Sequence, residues 1–129
     1  MKKPIVLFDS LGIGVDIENI GRFRKLDPIK DKSFLLKIFT HDELKYCYSK
    51  KSSAPHLAVR FAAKEAIIKA MSSLNWKTPA FKQIEVINNK LGVPMVKFQQ
   101  KKLKKIKVKL SLSHCQNNAL AFAIIIDSL

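Results

Sequence analysis

Two carboxylates stand where a metal ion could use them. Asp16 closes an apolar, β-prone run, IVLFDSLGIGVDI at residues 5–17, and Glu65 lies on the margin of an apolar stripe in the alanine-rich segment from His56 to Leu74. Together they would offer two hard oxygen ligands, which suits Mg2+, an ion that takes one or two protein carboxylates and leaves its other positions to water and substrate phosphate. The two residues are 49 positions apart, so spacing alone does not bring them together, and a helix ion pair between Glu65 and Lys69 is the alternative. Arg60, Lys64 and Lys69 around Glu65, and Ser111 and Ser113 around His114, are donors suited to phosphate. Without a ligand, the same residues read as the solvated face of an amphipathic helix and a strand-end turn.

Other chemistries lack their residues. The glycines of Leu11 to Val15 form neither GxGxxG nor GxxxxGK[ST], so a Rossmann unit and a P-loop are excluded, and no HExxH or Ser/His/Asp arrangement is visible. Cys47 and Cys115 have no metal-ligand spacing, and the neighbours His114 and Cys115 would point to opposite faces of an extended chain. Both read as free thiols.

The elements that must position Asp16 and Glu65 follow from periodicity. After Asp16 the pattern turns helical from Glu18, with Ile20, Phe23 and Leu26 repeating until Asp27 and Pro28 stop it, and a short helix covers Lys32 to Phe39. Thr40 and Glu43 match a capping box, so a helix starts at His41 and runs to a polar loop at Ser49 to Pro55. The segment from His56 to Leu74 contains neither glycine nor proline and is the clearest helix, with Leu57, Phe61, Ile68 and Met71 as its main stripe. Beyond Trp76 and Pro79 the period becomes two: a hairpin joins 83–88 to 93–98 through Asn89 to Gly92. Ile106 to Leu112 alternates apolar residues with lysines, and Ala119 to Ile126 is a buried strand. The expectation is an α+β fold: an N-terminal strand and helices, one long helix, then an antiparallel sheet.

At 129 residues, 47% of them hydrophobic, the chain is expected to form a single domain spanning 1–129. Its longest apolar stretch is too short for a membrane helix. Lys2 and Lys3 precede an apolar run broken by Pro4 and Asp9, with no small-residue cleavage site, so the chain reads as cytoplasmic without a signal peptide. The net charge of +14 calls for a polyanionic partner, and eight lysines fall between Lys90 and Lys109 with no acid among them. A basic nucleic-acid-binding domain is the rival this charge suggests, although neither an aromatic RNP pair nor a GXXG loop is present.

Four stretches, GIGVDIENIGRF at 12–23, FTHDEL at 39–44, LAVRFAAKEAIIKA at 57–70 and LSLSHCQNNALAFA at 110–123, together resemble the holo-acyl-carrier-protein synthase family of phosphopantetheinyl transferases. That resemblance implies an enzyme of fatty acid or related biosynthesis that moves the phosphopantetheine of coenzyme A onto a serine of acyl carrier protein. It implies Mg2+ as cofactor, with Asp16 and Glu65 as its ligands, and Lys69, with Lys64 beside it, meeting the diphosphate. Ser113 and His114 match the element near the adenosine 3′-phosphate. Gly92 and Pro94 match a turn near the adenine, often supplied across a subunit boundary. Arg22 matches a helix that meets the acidic carrier, and the family's assembly is a homotrimer. With three or four strands leaving edges to cover, part of Ala119 to Ile126, with Ile124 or Ile125 as the place to test it, is expected to face the trimer axis. About eight residues precede the usual family start, and the family does not require the lysines at 101–109.

Overall fold

The computed structural model describes residues 8–127. Strand β1 (Leu11–Asn19) leads through helices α1 (Ile20–Arg24), α2 (Lys32–Ile38), α3 (His41–Tyr48) and α4 (Ala54–Ser73) to strands β2 (Ile84–Asn88), β3 (Pro94–Phe98), β4 (Lys107–His114) and β5 (Asn118–Ile126). This is the expected α+β order. Residues 5–7, read as the start of the first strand, lie outside the described residues, and Phe8–Ser10 forms a 3-10 turn.

The strands divide into two sheets where one was expected. β5 is central in a three-stranded antiparallel sheet of order β1-β5-β4, and the β2-β3 hairpin stands apart. Register places Asp16 opposite Ala121, and Ala121 opposite Leu112. Alternation then gives the larger sheet two unlike faces. Ala119, Ala121, Ala123 and Ile125 on the inner face are fully buried against α4. The outer face is open, with Ile13, Val15 and Ile17 of β1 at 51–62% exposure and Phe122 and Leu120 of β5 close to 40%. Ile125 therefore belongs to the chain's own core and Ile124 to the outer side, which corrects the pairing of these two residues as equivalent probes of an axis.

Helix α4 is not amphipathic in the ordinary sense, because it is enclosed by α1, α3, the larger sheet and β2. Thirteen of its residues are buried, including Arg60 and Lys64. Its one open stripe runs through Glu65, Lys69 and Ser72. Alanine is a strong helix former with no side-chain entropy to lose, so the alanines both favour the helix and let it sit close to the sheet.

The capping box forms as read: the Thr40 hydroxyl accepts from Glu43 N, and the Glu43 carboxylate accepts from Thr40 N. Glu43 then does more. Its Oε1 lies 2.7 Å from Lys64 Nζ, with both side chains fully buried, and its Oε2 accepts from Val86 N. Lys64 also donates to the carbonyls of Ile38, Phe81 and Ile84, joining α2, α4 and β2 through one ammonium.

Candidate functional site

Asp16 and Glu18 both point to the inner face of β1, because residues two apart on a strand share a face. Their side chains are only 12% exposed. Across from them Glu65 is half-buried on the open stripe of α4, and Lys69, one turn further, reaches back to β1. Its Nζ donates to Val15 O at 3.0 Å and lies 3.4 Å from Asp16 Oδ1. Lys69 thus pairs with Asp16, not with Glu65 as the helix ion-pair alternative would have it.

Three carboxylates, Asp16, Glu18 and Glu65, meet two cations, Lys69 and the rim residue Arg22, which leaves an excess of negative charge. Burial and then the charge of Asp16 push the Glu65 carboxyl above its ordinary range. Glu18 is pushed up to about 7, first by burial, then by a hydrogen bond with Asp16 and its charge. A hydrogen bond between two carboxyls requires one proton between them. With every carboxyl ionised, Asp16 Oδ2 is a buried acceptor without a donor. An electron-rich pocket whose innermost oxygen lacks a partner fits a hard divalent cation. Among the described residues no group of three or more His, Cys, Asp or Glu forms a complete metal cage. Two protein carboxylates, with water and phosphate for the remainder, are what Mg2+ ordinarily takes.

The remaining predicted residues divide by position. Lys64 is not brought to this site: it is fully buried and its ammonium is already held by Glu43 and three carbonyls, so the expectation that it touches coenzyme A is corrected to a role inside the fold. Arg60, read as a phosphate donor or a solvated position, is instead 3% exposed, donates to Asn88 Oδ1 and His56 O, and lies over the Tyr46 ring. Ser113 and His114 close β4 at the same end of the sheet as Glu18, since His114 and Glu18 both pair with Ala119. They alternate, with Ser113 on the outer face and His114 on the inner. The His114 charge also reaches His56, which burial and neighbouring cations hold below its ordinary pKa.

Gly92 has φ +81°, the left-handed conformation the hairpin turn needs. Pro94, two residues on, lines a groove shared with Ile106 and with Lys107 to Leu110 of β4. This groove lies toward the Lys107 end of the strand, whereas Asp16 is level with Leu112. Arg22, on α1, is 57% exposed along its side chain, lies 3.2 Å from Glu18 and stacks over Phe23 and Phe61. It therefore stands on the rim between the carboxylates and the surface.

Glu18 is the site residue that sequence reasoning missed. The signal was its position two after Asp16, which shares a face only if the strand continues. Asn19, whose side chain accepts from Gly21 N, is the N-cap, and it delays the helix until Ile20.

Comparison with known proteins places the chain in a family. Residues 12–124 match the family model of the 4'-phosphopantetheinyl transferase superfamily. The chain is 42% identical over 114 residues to a holo-[acyl-carrier-protein] synthase of Thermodesulfovibrio yellowstonii, covering 88% of this chain and 96% of that one. Among solved structures it resembles the holo-[acyl-carrier-protein] synthase of Helicobacter pylori in complex with coenzyme A, with a TM-score of 0.73 at 28% identity over 88% of this chain and 98% of that one. It also resembles the Bacillus anthracis holo-(acyl-carrier-protein) synthase in complex with CoA (3',5'-ADP), with a TM-score of 0.71 at 29% identity over 91% and 96%. By sequence along nearly its whole length and by fold, the chain belongs to the 4'-phosphopantetheinyl transferase superfamily.

Proposed function

We propose that this protein transfers the 4'-phosphopantetheine arm of coenzyme A to a serine of apo acyl carrier protein, in support of fatty acid or related biosynthesis in the cytoplasm. The serine oxygen gives up its proton, which ends in solvent, and forms a bond to the β-phosphorus of coenzyme A; the bond from that phosphorus to the bridging diphosphate oxygen breaks, and 3',5'-ADP leaves carrying that oxygen. The observation that carries this reading is the Asp16 and Glu65 pair, whose charges interact across β1 and α4, with Asp16 Oδ2 buried and unpartnered.

Phosphoryl transfer asks for positioning and charge neutralisation more than covalent catalysis. Asp16 and Glu65 are the residues that would hold Mg2+, which when bound neutralises the diphosphate oxygens. Lys69, exposed and tied only to Asp16 and a carbonyl, swings to the diphosphate and stabilises the charge that builds on the leaving group. His114 and Ser113 receive the 3′-phosphate end. Arg22 meets acidic side chains of the carrier at the rim, where its guanidinium suits a carboxylate.

The protein acts as a homotrimer in this account. The open face of the larger sheet exposes Ile13, Val15, Ile17, Leu120 and Phe122, an apolar area that water leaves unsatisfied. Packing three such faces about an axis covers it. In that assembly the Gly92 and Pro94 turn would serve a neighbour's site, since within one chain its groove lies toward the Lys107 end of β4, away from the level of Asp16. The experiment is chromatographic: 3',5'-ADP should appear from coenzyme A only when apo-carrier, Mg2+ and this protein are present together. Release without a carrier, or none with one, would refute the reading.

A further inference from the structure

The two glycines of GIG, excluded as a phosphate loop, have another use. Gly12 and Gly14 lie on the inner face of β1, fully within the β1-β5 pairing, and among the described glycines only Gly92 has a positive φ. Backbone freedom is therefore not what these positions require. A Cβ on Gly14 would drive into the Ala66 carbonyl oxygen and stand 2.8 Å from Ala70 N. On Gly12 it would meet the Ala70 carbonyl oxygen and lie 2.8 Å from Leu74 Cδ1. The obstacles at Gly14 are helix backbone, which cannot rotate aside. Glycine within a strand marks close approach of another backbone, and here Ala66 and Ala70, both 0% exposed, complete the contact from the α4 side.

This contact is made beside the carboxylates. Gly14 is two residues before Asp16, and Ala66 directly follows Glu65. We propose that Gly14 is a positioning residue, whose missing side chain sets the separation of the Asp16 and Glu65 carboxylates and so the affinity for a divalent cation. The inference rests on the metal reading above. Any side chain at residue 14 pushes β1 away from α4 by an amount on the order of 1 Å, where a functional constellation tolerates about 0.5 Å. The Lys69 bond to Val15 O, which spans the same gap, is lost with it.

The test is Mn2+ titration of the full chain by electron paramagnetic resonance, with coenzyme A present, for wild type, Asp16→Asn, Gly14→Ala and Gly12→Ala. Gly14→Ala is expected to remain folded and bind Mn2+ at least about tenfold more weakly, with its transfer rate partly rescued by high Mg2+. Gly12→Ala, four residues from Asp16 and facing the flexible Leu74 on one side, should lose thermal stability while keeping affinity within about threefold of wild type. A folded Gly14→Ala with wild-type affinity overturns the proposal. So does an equal loss in Gly12→Ala, which would mean general loosening, or a Gly14→Ala that does not fold even with Mn2+ and coenzyme A, which would assign the contact to the fold. Failure of the metal reading itself looks different: wild type would then bind Mn2+ no better than Asp16→Asn.

Discussion

Replacing Lys64 by methionine separates a structural ammonium from a ligand-binding one. Methionine keeps the length of the side chain and removes the charge. Glu43, fully buried and bound to Lys64 at 2.7 Å, is then left without its cation, and the carbonyls of Ile38, Phe81 and Ile84 lose their shared donor. Breaking a buried ion pair from one side costs about 3–5 kcal/mol, because the remaining buried charge loses its counter-ion and keeps only the Thr40 and Val86 amides as partners. The carbonyls would add about 1 kcal/mol each if independent, but they share one ammonium and do not add. Against a total stability of about 5–15 kcal/mol for an ordinary domain, this is a large fraction. The midpoint should fall on the order of 15 °C. Thermal and urea unfolding measure that loss, and the double variant Lys64→Met/Glu43→Gln should recover part of it. Below the lowered midpoint, the KM for coenzyme A should match wild type. A Lys64→Met protein as stable as wild type, with a raised KM for coenzyme A, would refute the reasoning and return Lys64 to the site.

Stability should also depend on pH through Glu18. Its carboxyl, pushed up to about 7 from an ordinary 4.5, keeps its proton in the folded chain where the unfolded chain has lost it. Its contribution is therefore fully present below pH 4.5 and is lost as pH rises through about 7, with Glu65 shifted in the same direction. In metal-free buffer Tm should fall across that window, and Glu18→Gln or added Mg2+ should flatten the slope; a Tm that climbs across it would contradict the carboxylate crowding. Arg22→Ala should raise the KM for carrier about tenfold and leave that for coenzyme A unchanged, whereas equal rises would remove Arg22 from the carrier surface. Ile124→Asp and Ile125→Asp should differ: the first yields folded monomers by sedimentation, because residue 124 lies on the outer side, and the second fails to fold, because Ile125 is 0% exposed. Intact trimers of Ile124→Asp would exclude the outer face as the interface.

Much of the element order was legible because local signals and tertiary structure agree. The capping box at Thr40 and Glu43, the hairpin turn through Gly92, and the alternation of Lys107 and Lys109 with Val108 and Leu110 each form where the residues indicate. Asp16 and Glu65 were readable as types but not as neighbours, since what joins them is the backbone contact between β1 and α4. The misreadings share one cause. Charge usually seeks water, so Arg60 and Lys64 read from sequence as near a ligand or solvated, yet each finds buried partners contributed by distant segments: Asn88 for Arg60, and Glu43 with Ile38, Phe81 and Ile84 for Lys64. No window of sequence contains those partners. Glu18 was hidden for the opposite reason, because a helical pattern beginning at Glu18 masked a strand that runs to Asn19. In β5 an apolar run read as one buried strand turned out to serve two faces, small alanines inward and Leu120 and Phe122 outward.

The most direct test is the intact mass of an apo acyl carrier protein incubated with coenzyme A, Mg2+ and either wild-type protein or Glu65→Gln. The wild type should add the mass of one phosphopantetheine to each carrier, none should be added when Mg2+ is chelated, and Glu65→Gln should be slower by about a hundredfold or more while melting no lower than wild type in metal-free buffer. A carrier left unmodified by the wild type, or modified as fast by Glu65→Gln as by wild type, would contradict the assignment of this chain and of its metal site.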